Sequence, residues 1–304
     1  MSDSKPVDVI IIGGGPAGMS AALVLGRARR SVLVIDEAMP RHLVTRESHG
    51  FLTRDGVSPS DLRKVAREQI AAYPTVHFIQ EKAVRAEGSD GEFVIGTNSG
   101  ESYRARKLLF ATGMKDLPLG IEGLDEVYGK SAYVCPYCDG WEMQDRRIAI
   151  IAGSAFGMHL TRTVSGWTND LALFTNGEAL TDDDKEQLAR RSIPVFETAI
   201  RRIESEEGET RSIVLEDGTE IERTAIFFAP KLEPGSDLPT VLGCDTADSG
   251  AMIVDEFGRS NTAGVFGAGD GASQKYQVAA AVAAGSMTAA MLNSELLEAD
   301  WEMV

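Results

Sequence analysis

Cysteine is scarce in this chain. Three occur in 304 residues, and two of them, Cys135 and Cys138, share the stretch VCPYCDGWE. Histidine is nearly as scarce, with four residues scattered at 42, 49, 77 and 159. A structural zinc site takes four nitrogen or sulfur ligands, often as a second cysteine pair, and only Cys244 remains to supply one. We therefore expect no metal. The start, MSDSKPVDVIIIGGG, lacks a basic segment followed by a long apolar stretch. Its apolar run, Val9–Ile12, is too short for a signal peptide or a membrane span. The expectation is a cytoplasmic protein with no membrane association, in a compartment where stable disulfides are uncommon. A close cysteine pair there points to catalysis or metal binding before a staple. Basic charge is also short, 30 Lys and Arg against 46 Asp and Glu for a net −16, which leaves no basic face for nucleic acid.

What is present begins with a strand–turn–helix–strand pattern. Val7–Ile12 is a short apolar run rich in β-branched residues, as in a buried parallel strand. Gly13-Gly14-Gly15-Pro16-Ala17-Gly18 follows, then a helical stretch over Met19–Arg30 and a second strand over Ser31–Ile35. Ser60–Tyr73 reads as an amphipathic helix. Val76–Ile79, Glu92–Thr97 and Glu101–Tyr103 read as a small antiparallel layer, and Lys107–Ala111 as a further strand. Pro118, Gly120 and Gly123 mark a hinge. A second strand–turn–helix–strand pattern spans Arg147–Ile151, Ala152–Gly157, a helix to Trp167, and Leu171–Phe174, with Ile226–Ala229 closing it. From about Asp245 the chain returns to its first domain, through Val265–Phe266 and a long helix over Gln277–Leu297. The expected fold is α/β: two Rossmann-like three-layer nucleotide-binding domains, the second inserted into the first. Residues 1–116 plus 246–304 make the first domain, and 117–245 the second.

Gly13-x-Gly15-x-x-Gly18, directly after a strand and opening a helix, is a dinucleotide fingerprint in its proper context. Gly13 permits the tight turn, Gly15 lets backbone approach a pyrophosphate, and Gly18 allows close helix–strand packing. Pro16 and Ala17 complete the turn. Asp36, at the end of the second strand, is placed to accept ribose hydroxyls and disfavours a 2′-phosphate, so FAD or NAD fits better than NADP. Gly269-Asp270 precedes the last long helix, where the acid can bind a ribityl or ribose hydroxyl or simply cap a helix.

The second unit is degenerate. Ala152-Gly153-Ser154-Ala155-Phe156-Gly157 stands where three glycines are needed. Thr175-Asn176-Gly177 offers neither an acid for ribose nor an arginine for a 2′-phosphate. Scaffolding and nicotinamide binding both stay open for it. In a C-x-x-C pair, one thiolate attacks a disulfide and the partner sulfur resolves the mixed disulfide. Asp139 can then shuttle a proton, or it is a helix cap or an exposed acid. Cys244 reads as a small core residue. His49 and Arg54 lie in a polar loop that either faces a flavin or is plain surface, and the sequence favours surface.

Together these motifs resemble the low-molecular-weight thioredoxin reductase family of flavoproteins. The resemblance rests on Gly13–Gly18, Ala111-Thr112-Gly113, Cys135-Pro136-Tyr137-Cys138-Asp139, and Gly269-Asp270 with Tyr276-Gln277-Val278. It implies one FAD per subunit, held by residues that include Thr112, Gly113, Gly269, Asp270, Gln277 and Val278, and a homodimer. It also implies a Cys135–Cys138 disulfide cycling against the flavin, with Cys138 nearer the ring and Asp139 as the acid. The partner is then a thioredoxin-like protein or a small-molecule disulfide or dithiol. Departures at Ala152, Ser154 and Thr175-Asn176-Gly177 put NADPH in question. The stretches SHGFLTRDG, CPYCDGWE and LFTNG are closer to a divergent subgroup near the gliotoxin- and holomycin-type dithiol oxidases. Other divergent relatives draw electrons from ferredoxin or carry a second flavin. The leading expectation is an FAD-dependent disulfide oxidoreductase. The alternatives are a dithiol oxidase passing electrons to oxygen and a non-catalytic flavin redox sensor. Trp301, read as lying beyond the last helix, either stacks on an exposed flavin face or packs on a neighbouring helix or subunit.

Overall fold

Val7–Ile12 forms the first strand (β1), and alternate side chains of its run enter two different cores. Val9 and Ile11 pack on one face, Ile10 and Ile12 on the other. This is the period of two expected of a strand covered on both sides. The structure is a computed structural model, and it describes residues 5–273 and 275–302, with all their side chains except those of 154 and 155. Helix α1 (Pro16–Arg27) follows, then β2 (Val32–Ile35), paired parallel to β1 with Ile12 opposite Ile35.

Two compact units result. The first comprises Met1–Leu43, Gly50–Lys115 and Leu232–Val304; the second comprises Val44–His49 and Asp116–Lys231. The second is thus inserted into the first. The return comes at Leu232, earlier than the expected 246. The Gly235 N–H donates to the Gly113 carbonyl at 2.9 Å, and Leu238 and Cys244 bury in the first unit's core. Val44–His49 joins the second unit because Gly129 packs directly on the Val44 carbonyl.

In the first unit a seven-stranded sheet runs in the order β3 (Val76–Ile79), β2, β1, β6 (Ser102–Phe110), β5 (Glu92–Thr97) and β4 (Ala83–Ser89), with Val265–Gly267 also on β6. The segments expected as two strands, Glu101–Tyr103 and Lys107–Ala111, are one strand that changes partner along its length. Its first half pairs antiparallel with β5, and its second half pairs parallel with Val265–Gly267. Strand β3 pairs parallel with β2, so it is the edge of the main sheet and not part of the antiparallel layer. Helix α2 (Pro59–Ile70) is capped by Ser58, whose hydroxyl accepts from the Asp61 N–H. The final helix spans Val278–Glu302 and contains Trp301, which is 87% exposed. It extends past the expected end at 297.

The second unit holds a five-stranded parallel sheet in the order Val195–Phe196, Leu171–Phe174, Ile148–Ile151, Ala225–Phe228 and Ala132–Tyr133. Its faces alternate as in β1: Ile148, Ile150, Leu171 and Leu173 fill one core, and Ile151, Ala172 and Phe174 the other. A three-stranded antiparallel meander spans Ile200–Glu206, Glu209–Leu215 and Glu220–Glu222. No helix among the described residues is long and apolar enough to cross a membrane.

Candidate active site

In the first unit, close backbone approaches gather the predicted nucleotide residues. Gly13 adopts φ +103°, and a methyl there would lie 2.3 Å from the Ala111 carbonyl oxygen, so the turn touches the strand end that leads into Thr112-Gly113. A methyl on Gly18 would strike the Gly13 carbonyl at 1.9 Å, which is the tight helix–strand packing expected of it. Around Gly15, by contrast, a methyl would meet nothing within 4 Å. One glycine is needed for its backbone angle, one for close packing, and one faces open space.

Gly269, at φ +77°, lies against Ala17, and Gly271 lies against Gly113. Asp270 opens a single 3-10 turn, and its carboxylate is 3.8 Å from the Arg41 guanidinium. Arg41 also covers the Tyr276 ring. Gln277 accepts, through its carbonyl, the N–H of Ala281 at 2.9 Å, which anchors the start of the last helix at Val278. Asp36 is buried at the end of β2. One of its oxygens accepts the Gly14 N–H at 3.0 Å, and the other accepts from Arg63 at 2.6 Å. The candidate residues of the first unit therefore share one end of the β1, β2 and β6 strands.

In the second unit, Cys135 and Cys138 are joined in a disulfide, with their Cα atoms 5.3 Å apart. Pro136 starts the short helix Pro136–Asp139 at the position where its missing N–H costs nothing. The N–H groups of Cys138 and Asp139 both donate to the Cys135 carbonyl at 3.1 Å. That turn sets the two sulfurs side by side. Gly140 closes it, where a side chain would collide with the Trp167 ring. Trp167 in turn meets Tyr137 edge-on.

Asp139 ends the same short helix, directly after Cys138, and is half-buried. Burial, and next the Glu142 carboxylate, push its pKa up to about 7, while His49 pulls it the other way. The His49 Nε2 is 3.6 Å from Glu142 and 3.6 Å from Glu47. His49 was read from sequence as surface, yet it belongs to the redox cluster of the second unit; Arg54 is indeed exposed, donating to the Thr53 carbonyl. Tyr133, with a pKa raised to about 12 first by burial and then by Asp139, donates to the Lys130 carbonyl. Cys244 is buried, the small core residue it was read as.

The second nucleotide-like turn held another unread residue. Asn176 and Gly177 both take positive φ, 52° and 96°, the arrangement of a type I′ turn, for which Asn-Gly is a favoured pair. The turn closes with the Glu178 N–H on the Thr175 carbonyl at 3.3 Å. It returns the Glu178 side chain to Gly153, where a methyl would lie 2.5 and 2.7 Å from the two carboxylate oxygens. The Asn-Gly pair was the available signal.

Two nucleotide-type α/β units, one carrying a cysteine disulfide with an adjacent neutral-range acid, define a disulfide oxidoreductase of flavoprotein type. The chain belongs to the pyridine nucleotide-disulphide oxidoreductase family, whose model matches residues 7–287. Within it, the chain is a thioredoxin reductase-like enzyme. It is 30% identical to the thioredoxin reductase tcpT of Claviceps purpurea, over 98% of this chain and 96% of that protein. Among solved structures it resembles HlmI, with a TM-score of 0.93 and 32% identity, covering 100% of this chain and 96% of that one. The oxidoreductase from Agrobacterium tumefaciens matches with a TM-score of 0.90 and 36% identity, over 96% of this chain and 99% of that one. These relatives bear out the resemblance to the divergent subgroup.

Proposed function

We propose that this chain is an FAD-dependent thiol–disulfide oxidoreductase whose working disulfide is Cys135–Cys138, and that NADPH is not its ordinary donor. Its partner is a thioredoxin-like protein or a small-molecule disulfide or dithiol, and the enzyme acts as a cytoplasmic homodimer. The observation that carries the reading is the Cys135–Cys138 disulfide on a one-turn helix that ends in Asp139, an acid whose pKa burial and Glu142 raise to about 7.

The first unit fits FAD. The open space at Gly15, at the start of a helix with no side-chain cap, suits a pyrophosphate. Asp36 suits a ribose diol, and Gly13, Pro16, Ala17, Gly18, Thr112, Gly113, Gly269, Asp270, Gln277 and Val278 form the rest of the cradle. FAD supplies the two-electron redox chemistry when bound.

The chain's own residues perform the interchange. A substrate thiolate attacks one sulfur of the Cys135–Cys138 bond, which breaks as a mixed disulfide forms and the other cysteine leaves as a thiolate. A second substrate thiolate then displaces the attached cysteine. The substrate departs as a disulfide, oxidised by two electrons, and the pair is left reduced. Asp139 gives a proton to the cysteine thiolate that leaves and takes it back when the disulfide re-forms. Run in reverse, the same steps reduce a disulfide.

An anaerobic titration of the yellow protein tests this, with NADPH and dithiothreitol in parallel and flavin absorbance as the readout. Bleaching by dithiothreitol, reversed by air, is expected. Fast bleaching by low NADPH overturns the donor assignment, and colourless protein that takes up no FAD overturns the whole reading.

A further inference from the structure

The two nucleotide-like units can be aligned through their last glycines. Gly18 packs on the carbonyl of Gly13, five residues earlier, and Gly157 packs on the carbonyl of Ala152, also five residues earlier, where a methyl would lie 2.9 Å away. Ala152 therefore occupies the place of Gly13, and Gly153 that of Gly14. In the first unit a methyl on Gly14 would lie 2.7 Å from the Asp36 carboxyl carbon. In the second, a methyl on Gly153 would lie 2.8 Å from the Glu178 carboxyl carbon. Two carboxylates, three alignment positions apart in sequence, reach the same place over the same glycine. The Asn176-Gly177 turn takes up the difference.

We infer that Glu178 is the ribose-reading acid of the second unit. That unit accepts an adenine dinucleotide with a free 2′-hydroxyl, of the NADH class, and rejects the 2′-phosphorylated form. An anionic carboxylate at the end of the second strand accepts hydrogen bonds from a ribose diol and repels a phosphate in the same position. Two cations of the second unit, Lys185 and Arg162, are engaged with other groups: Lys185 pairs with Glu197 at 2.9 Å, and Arg162 donates to Gln187. Asn176 is committed through its side-chain oxygen to the Ile200 N–H at 2.8 Å, and Thr175 is buried. Ala152 is not at positive φ, so alanine is unstrained there, and Gly157 keeps the close helix–strand contact; the side chain of Ser154, in the place of Gly15, lies outside the described ones.

This inference goes beyond the proposed disulfide chemistry and does not depend on it, so its test uses ligands that cannot reduce the protein. Flavin-loaded, oxidised protein is titrated with NAD+ and with NADP+ by calorimetry. NAD+ is expected to bind at least about tenfold more tightly than NADP+. Glu178→Gln, close in size, should weaken NAD+ and bring the two affinities within about threefold of each other. Glu178→Asp keeps the charge but shortens the reach, so it should weaken NAD+ while still rejecting NADP+. Circular dichroism and retained flavin verify that both variants fold. Absence of NAD+ binding at millimolar concentration overturns the inference, as does an NAD+/NADP+ ratio that Glu178→Gln leaves unchanged.

Discussion

Burial and the Glu142 carboxylate both favour the protonated form of Asp139, and His49 is the opposing group. The native acid holds its proton to about pH 7, whereas the unfolded chain releases it near the ordinary aspartate value of 3.8. Between those values the unfolded state binds fewer protons, so stability falls as pH rises. Asp139→Asn should therefore raise the thermal midpoint at about pH 8 but not at about pH 4, a difference on the order of 2–4 kcal/mol. The same variant should slow thiol–disulfide interchange by roughly 10²-fold, measured by stopped flow with dithiothreitol. Neighbours then give the sign. Glu142→Gln should shift the pH–rate limb below 7, and His49→Ala should shift it above; equal limbs in all three proteins would remove Asp139 from the proton transfer. Cys135, Cys138 and Asp139 were legible because they are adjacent in sequence. His49 was not, because its pairing with Glu142 spans 93 positions and leaves no local pattern. Glu178 was missed for a related reason, a turn that moves the acid three positions from where a short loop would put it.

At the scale of elements, the last helix is seated on α1 by contacts too close for side chains. A methyl on Gly285 would lie 2.0 Å from the Ala17 carbonyl oxygen. At the far end, Asp300 receives hydrogen bonds from Arg30 at 2.8 Å and is 2.6 Å from Arg106; those bonds hold its carboxyl below the usual range. Two tendencies compete in Gly285→Ala. Helix propensity favours alanine by about 1 kcal/mol, and overpacking against backbone costs roughly 1–3 kcal/mol. Backbone cannot move aside as a flexible side chain does, so the variant should be less stable and hold flavin more weakly. Thermal melts and absorbance after dialysis measure both, and a midpoint equal to or above wild type would show that α1 and the last helix can separate. Strands β1, β3 and β5 were legible to the residue from their apolar runs. Strand β4 was not, because AVRAEGS shows no alternation of buried and exposed positions, with only Ala86 buried. Strand β6 was read as two because the exposed Arg104 and half-buried Arg106 interrupt its hydrophobicity where it changes partner.

For the molecule as a whole, the two-unit order was legible because each unit repeats a strand–glycine turn–helix pattern. The return point was not, because Leu232–Asp245 is held to the first unit by backbone contacts at Gly235 and by the burial of Leu238, and neither has a motif. The net charge of −16 belongs to this scale as well. It acts on a partner before contact, over a Debye length that shrinks from about 30 Å at 0.01 M salt to about 8 Å at 0.15 M. A small dithiol, attacking as a singly charged thiolate, feels that field weakly. An acidic protein partner is repelled at low salt and less so as salt rises; a basic one is drawn in and then released. The second-order rate of Cys135–Cys138 reduction by dithiothreitol should therefore rise only slightly across that salt range. With an acidic thioredoxin-like protein it should rise several-fold. Stopped-flow traces at fixed pH, following flavin absorbance, give both slopes. A flat slope for the protein partner would place its docking surface on a locally neutral patch, where the overall charge has no leverage.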